Sequence, residues 1–222
     1  MDTQGLNDKN FDFYNKIGVD SLMELAIRGG FSTHRDLEVV EQFIKNEDSI
    51  LELGAGYGRC LDYLLVKGHT GPITAIEQSQ NLMNYLQKRY GQRVSIIKGD
   101  LKIVDAEIKV DVALWMWSGI LDFSREEQLE VITKIFGWLN PGGRLIIDVP
   151  KIGFKTIADH TDEQHIKLHS PYGDMECYIP SHSDIEQYAS NAGFINFDEI
   201  HYDTVTEKQR TIFVMKKGVM GE

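Results

Sequence analysis

The chain has 222 residues, of which 42% are hydrophobic and 26% charged, a globular composition at a length where one α/β domain buries most of its apolar surface. Lys and Arg number 23 against 34 Asp and Glu, a net charge of −11, and with no basic cluster to offset it this disfavours a nucleic-acid partner. Residues 1–10 lack the basic and apolar regions of a signal peptide, no apolar run approaches the ~18 residues of a membrane span, and two cysteines are too few for a disulfide framework, so a reduced cytoplasmic protein without membrane contact is expected.

Over residues 11–28, Phe13, Ile17, Leu22, Leu25 and Ala26 recur at helical spacing and Gly29-Gly30 follows as a stop, which predicts an N-terminal helix or helix pair. Leu37, Val40, Phe43 and Ile44 share one face of a second helix over 36–45, with Asp36 at its positive end. The period then changes. Residues 49–53 form a short apolar strand broken by Gly54, Gly56 and Gly58, and a helical pattern resumes over 57–67.

A strand at 72–77, a helix at 80–90, strands at 94–98 and 110–115, a helix at 125–138 and a strand at 144–149 continue the alternation. Strands separated by helices predict an α/β fold with a doubly wound, mostly parallel sheet. After Pro150 the alternation lapses until a helix at 181–191, and the runs 195–202 and 210–216 are expected to close the fold as an antiparallel hairpin. The interval 151–180 is too long for a plain connection and should carry short strands or a flap. One domain over 1–222 is therefore expected. It divides into an N-terminal helical lid at 1–46, a ligand-binding core at 47–150, an inserted specificity flap at 151–180, and the late helix and hairpin at 181–217.

A backbone that approaches a ligand closely has no room for Cβ atoms, which accounts for Gly54, Gly56 and Gly58 between a strand and a helix. The dinucleotide fingerprint G-x-G-x-x-G needs glycine where Arg59 stands, so a nicotinamide cofactor and a dehydrogenase reaction are disfavoured. Glu77 ends the second strand, where a carboxylate can accept hydrogen bonds from both hydroxyls of a ribose. Asp100, after Gly99, is placed to accept from an exocyclic amine such as that of adenine, or else to make an Asx turn.

Ile50-Leu51-Glu52-Leu53-Gly54-Ala55-Gly56-Tyr57-Gly58, Ala75-Ile76-Glu77, Lys98-Gly99-Asp100 and Leu139-Asn140-Pro141-Gly142-Gly143-Arg144-Leu145 resemble, in order, the motifs of class I S-adenosylmethionine-dependent methyltransferases. The resemblance implies a Rossmann-like sheet of seven strands with the last one reversed and helices on both faces, with S-adenosylmethionine as cofactor. It implies that Gly54, Ala55, Gly56 and Gly58 lie against the methionine part, with Glu52 orienting the loop. Glu77 and Gln78 then fall at the ribose, and Gly99, Asp100 and Leu101 near adenine. In similar proteins the backbone at Trp115 and Met116 flanks the cofactor, while Trp117 and Ser118 face the acceptor.

A sulfonium methyl is already activated, so transfer needs mainly in-line positioning, an effect that can be worth ~7 to 11 kcal/mol. The Asp/Asn-Pro-Pro-Tyr motif that resembling enzymes use on nucleobases is absent, and Trp115-Met116-Trp117-Ser118 stands in its place. Base methylation is thereby disfavoured. His160, His165, His169 and His182 crowd the segment before and into the late helix together with Tyr172 and Tyr178. Among these, His165, His169 and Tyr172 are candidates for a general base, set against the alternative that they are polar residues of a surface flap. Uneven histidine spacing predicts no metal site. Tyr14, with Phe11 and Phe13, is a candidate to close over the pocket, as N-terminal helices do in similar enzymes. The expected reaction is methyl transfer to an oxygen or nitrogen of a small molecule, with a protein acceptor, or a non-catalytic binder of the same cofactor, as alternatives.

Overall fold

The structure, a computed structural model, describes residues 5–152, 159–160 and 162–219, of residues 159–160 the backbone alone. Two helices come first, α1 (Leu6–Lys16) and α2 (Val19–Gly29). They separate where Ile17 and Gly18 turn extended, so the single helical period of 11–28 becomes a pair. Next, α3 (Arg35–Val40) stops short of the expected 36–45, and residues Glu41–Phe43 tighten into a 3-10 turn as the Gln42 amide bonds the Val39 carbonyl at 3.2 Å.

The alternation then runs β1 (Ile50–Leu53), α4 (Arg59–Val66), β2 (Ile73–Glu77), α5 (Gln80–Tyr90), β3 (Ser95–Lys98), β4 (Val110–Trp115), α6 (Arg125–Trp138) and β5 (Leu139–Pro150). After it come β6 (Asp159–His160), β7 (His165–Leu168), β8 (Met175–Tyr178), α7 (His182–Ala192), β9 (Phe194–Asp203) and β10 (Gln209–Lys217). Seven strands form one sheet in the order β3-β2-β1-β4-β5-β10-β9. The first five are parallel, and β10 lies antiparallel to both β5 and β9, the reversed closing hairpin expected from the chain order.

Side chains alternate across this sheet. Leu51, Ala113, Leu145, Ile147 and Phe213 face one apolar layer with residues of α1, α2, α6 and α7, while Ile50, Leu114, Ile146 and Ile212 face another with residues of α3, α4 and α5. Helices therefore cover both faces. Two of them begin in capping boxes that satisfy their first N–H groups, Ser124 with Glu127 on α6 and Ser181 with Asp184 on α7.

The interval after Pro150 contains a small antiparallel sheet, β6-β7-β8. Asn10 of α1 binds its edge as a strand would: its Nδ2 donates to the Glu176 carbonyl at 2.8 Å and its Oδ1 accepts the Glu176 N–H at 2.9 Å. Farther along, the Tyr172 hydroxyl donates to Ser21 Oγ on α2 at 2.9 Å. The β-strand switch where β1 has β2 on one side and β4 on the other lies beneath these elements. Open α/β sheets bind ligands at that crevice, beyond the carboxyl ends of the strands. No helix among the described residues is long and apolar enough to cross a membrane.

Candidate functional site

A cavity of about 530 Å³ opens at the carboxyl ends of β1, β2 and β4 and extends under α1, α2 and the small sheet. Its floor is the loop after β1, where Gly54, Gly56 and Gly58 all take left-handed backbone angles (φ 65°, 58° and 84°). The three glycines serve different ends. A Cβ on Gly54 would meet nothing within 4 Å, so the backbone there borders open space, and one on Gly56 would meet only Leu22 Cδ2 at 3.5 Å. At Gly58 a Cβ would lie 2.5 Å from the Tyr90 ring, so this glycine is dictated by the packing of α5, and it does not line the cavity.

Glu77 ties β2 to the loop. One carboxylate oxygen accepts the Gly56 N–H at 2.8 Å and the other the Ser79 N–H at 2.8 Å. Burial pushes its carboxyl up to about 7 against the pull of those N–H groups. Glu52, on β1, is more deeply starved of partners: burial raises its carboxyl to about 8, opposed by a hydrogen bond from Cys60 and the charge of Arg59. Its Oε2 is buried and has no hydrogen-bond partner among the described residues. A buried carboxylate oxygen at a cavity wall is an invitation to a ligand donor, since leaving it unpaired costs ~1 to 3 kcal/mol.

Arg59, where a dinucleotide site wants its third glycine, turns away from the loop. Nη1 and Nη2 form a two-point pair with Asp36 of α3 at 2.8 and 2.5 Å, both groups buried. A second buried pair joins Arg210 of β10 to Asp148 of β5, to which Tyr202 also donates at 2.9 Å. Both guanidiniums stack on the Phe31 ring, at 5.4 and 5.0 Å from its centre. Phe31 in turn packs on Trp117 at 5.3 Å, and Trp117 meets Tyr57 edge-on.

Trp117 and Ser118, two and three residues past the end of β4, both have positive φ (49° and 68°), unusual for consecutive residues with side chains and costing on the order of 1 to 3 kcal/mol each. Their surroundings hold them there. Ser118 donates its N–H to the Asp148 carbonyl at 3.0 Å and its Oγ accepts from Arg210 Nη2 at 2.7 Å. Strain of this kind, fixed by a buried ion pair, aims the Trp117 side chain into the cavity wall.

The cavity brings together Glu52, Gly54, Ala55, Gly56, Glu77, Gln78, Gly99, Leu101, Trp115, Met116, Tyr14, Trp117, Ser118 and His169. Four residues expected at the site lie off its wall. Besides Gly58, Asp100 turns its Oδ1 back onto the Lys102 N–H at 2.8 Å, an Asx turn that leaves Gly99 and Leu101 facing the cavity. His165 is exposed and bound to Asp162 at 2.8 Å, because β7 alternates and sends Ile166 inward instead. Tyr172 packs edge-on against Phe13 and spends its hydroxyl on Ser21. The side chain of His160 lies outside the described residues, and His182 is paired with Glu199 on the closing hairpin.

Among the wall residues that the sequence reading missed are Phe31, Asp122 and Arg210. Asp122 closes the 3-10 turn Gly119–Asp122, is only 8% exposed, and accepts from Asn10 Nδ2 at 2.8 Å and from the Tyr14 hydroxyl at 2.9 Å. An aspartate three places beyond Ser118-Gly119, in the loop that follows β4, was the available signal. α1 is fastened on the opposite side as well, where Asn7 and Gln78 exchange amide hydrogen bonds at 3.3 and 3.1 Å and Ser79 Oγ donates to the Tyr14 carbonyl at 2.9 Å.

Residues 50–143 match a family described as a methyltransferase domain. Among curated proteins, the chain is 29% identical over 135 residues to a malonyl-[acyl-carrier protein] O-methyltransferase of Priestia megaterium, covering 59% of this chain and 43% of that one. It is 25% identical over 158 residues to protein arginine N-methyltransferase 1 of Chlamydomonas reinhardtii, covering 68% of this chain and 45% of that one. The chain thus spans less than half the length of the curated relatives it matches. Among solved structures, an S-adenosylmethionine-dependent methyltransferase from Clostridium acetobutylicum superposes with a TM-score of 0.67 at 14% identity, covering 90% of this chain and 98% of that one.

Proposed function

We propose that this chain is a class I, Rossmann-like methyltransferase that transfers a methyl group from S-adenosylmethionine to an oxygen or nitrogen of a small molecule, a reading supported by the methyltransferase-domain match at residues 50–143 and by the likeness of fold. The observation that carries the reading is one cavity that joins the glycine loop, Glu52 and Glu77 to an apolar wall of Phe13, Phe31 and Trp117. At about 530 Å³ it falls in the range of small-molecule sites. α1, α2 and the small sheet serve as its lid and flap, which favours a small acceptor over a folded protein. Buried, unpaired cysteines, Cys60 and Cys177, suit a reducing cytoplasm.

The residues present fit the cofactor. The orphaned Oε2 of Glu52 is an acceptor for an ammonium group, the open space at Gly54 admits a chain against the backbone, and Glu77, on the cavity wall with its carboxylate held by backbone N–H groups, retains acceptor capacity for a ribose hydroxyl. When bound, S-adenosylmethionine supplies a methyl group already activated by its sulfonium. The protein's share is to orient: Trp117 and Phe31 hold the acceptor's apolar part, and the closed apolar wall excludes water, which would otherwise compete as nucleophile.

Calorimetric titration with S-adenosylmethionine, S-adenosylhomocysteine and NAD tests the cofactor, with micromolar affinity expected for the first two and none for NAD. An acceptor panel read by S-adenosylhomocysteine release then separates an enzyme from a silent binder of the same fold. Failure of both sulfur nucleosides to bind folded protein would overturn the reading.

A further inference from the structure

Three carboxylates line the cavity among the described residues. Glu52 and Glu77 stand by the glycine loop and are assigned above to the cofactor. Asp122 is left over, held by Asn10 and Tyr14 and near Cys177 of β8, in a cavity whose apolar wall includes Phe13, Ile166, Met175 and Trp117. Its two hydrogen-bond partners, Asn10 and Tyr14 on α1, are neutral donors. Its other titratable neighbours are Cys177 on β8 and Glu77 on β2, neither of them a cation, and no Lys, Arg or His among the described residues is paired with it.

An ionised carboxylate buried without a countercharge is costly, several kcal/mol in protein interiors. Elsewhere in this molecule the buried aspartates have one: Asp36 has Arg59 and Asp148 has Arg210. Asp122 uses one lone pair of each oxygen on Asn10 and Tyr14 and keeps the other pair free. Its missing countercharge is therefore of the size and kind that a ligand ammonium supplies. An acidic group at this place would meet Asp122 and Glu77, while of the basic wall residues Arg59, Arg210, Arg28 and His169 are bonded to Asp36, Asp148, Glu24 and Asp174 and Lys208 stands in the turn between β9 and β10. An alcohol would supply a hydrogen bond but no countercharge.

We propose that the acceptor is an amine on an apolar body, docked as its ammonium against Asp122, which takes a proton from it ahead of methyl transfer. The proposal rests on the methyl-donor reading above. In the step, an N–H bond of the ammonium breaks, the proton passes to an Asp122 oxygen and the electron pair stays on nitrogen. That pair forms the new N–C bond as the methyl–sulfur bond breaks, its electrons returning to sulfur as a neutral thioether, and the nitrogen regains a positive charge. In the ligand-free protein burial lifts the Asp122 carboxyl to about 6, above the ordinary aspartate range, and as a carboxylate with a free lone pair on each oxygen it can accept the ammonium proton as the nitrogen is brought to the methyl group.

The probes are 2-phenylethylamine, 2-phenylethanol and 3-phenylpropionate, alike in their apolar part and different in charge. Their affinities for the wild type, Asp122→Asn and Tyr14→Phe are measured by saturation-transfer NMR at pH 7.5, each with and without S-adenosylhomocysteine, whose own binding is followed by calorimetry. The amine should bind the wild type at least about tenfold tighter than the carboxylate, the equivalent of one modest charge pair. Asp122→Asn should erase that ranking and Tyr14→Phe should keep it, whereas a residue that only fastens α1 would weaken all three probes alike. A wild type that binds the three equally or not at all, or prefers the carboxylate, overturns the proposal whether or not either variant folds. Absent S-adenosylhomocysteine binding would instead sink the methyl-donor reading, while the amine ranking is still read on the ligand-free protein.

Discussion

The Glu77 carboxylate accepts the N–H of Gly56 at 2.8 Å, so the end of the second strand holds the middle of the glycine loop in place. Replacing it with alanine strands two N–H groups, those of Gly56 and Ser79, at ~1 to 3 kcal/mol each. Glu77→Ala should therefore lower stability in denaturant titration and weaken S-adenosylhomocysteine by tenfold or more in calorimetry. A folded variant with undiminished affinity would remove Glu77 from the ligand's contacts.

The glycines of the loop should separate fold from binding. Gly54→Ala puts a methyl into open space and pays only for its positive φ, about 1 kcal/mol. It should melt close to the wild type yet bind the cofactor poorly. Gly58→Ala drives a methyl against the Tyr90 ring, so its loss should appear first in melting temperature, at roughly 2 kcal/mol or more. Equal effects of both substitutions on both measurements would contradict the division of labour.

Arg59 and Asp36 form a buried pair whose halves are worth little apart. Arg59→Met leaves Asp36 charged and buried, a loss of about 3 to 5 kcal/mol. The double variant Arg59→Met with Asp36→Leu should recover most of that, because both desolvation costs vanish together. A double variant no more stable than the single one, by urea denaturation, would show that the pair is not what stabilises the α3–α4 contact.

Three cavity carboxylates are raised by burial, Asp122 to about 6, Glu77 to about 7 and Glu52 to about 8. A group whose folded value exceeds its unfolded one binds protons more tightly when folded, so its contribution is complete below about pH 4 and is lost as pH rises to the folded value. The ligand-free protein should therefore lose stability between pH 4.5 and about 8, at up to ~1.4 kcal/mol per pH unit for each group being crossed. Glu52→Gln should flatten the upper end of that interval. Melting temperatures across the range check this, and a curve that rises throughout, or one unchanged in Glu52→Gln, would refute it.

The parallel sheet and its reversed hairpin were legible because hydrophobic period and glycine punctuation are local signals. So was the crevice, since strand order puts the ends of β1 and β2 side by side. Long-range partners were not. Nothing near residue 122 announces that Asn10 and Tyr14 come to lie against it, 112 and 108 positions away, and nothing near Arg210 names Asp148 or Phe31. Gly58 was legible as a glycine but not for its reason, which is the ring of Tyr90 on the next helix. The histidines crowd in sequence but part in space, because strand alternation turns His165 outward while Ile166 faces in, and of the histidines described with side chains His169 is the one on the cavity wall.

α1 is fastened at Asn7 to Gln78 beside the glycine loop and, less than one turn later, at Asn10 to the edge of β8. A rigid helix cannot release one attachment while keeping the other, so any swing about Ile17 and Gly18 frees both at once. The two walls of the cavity are thereby coupled through one helix, and a push on the edge of β8 is transmitted to the side of the glycine loop.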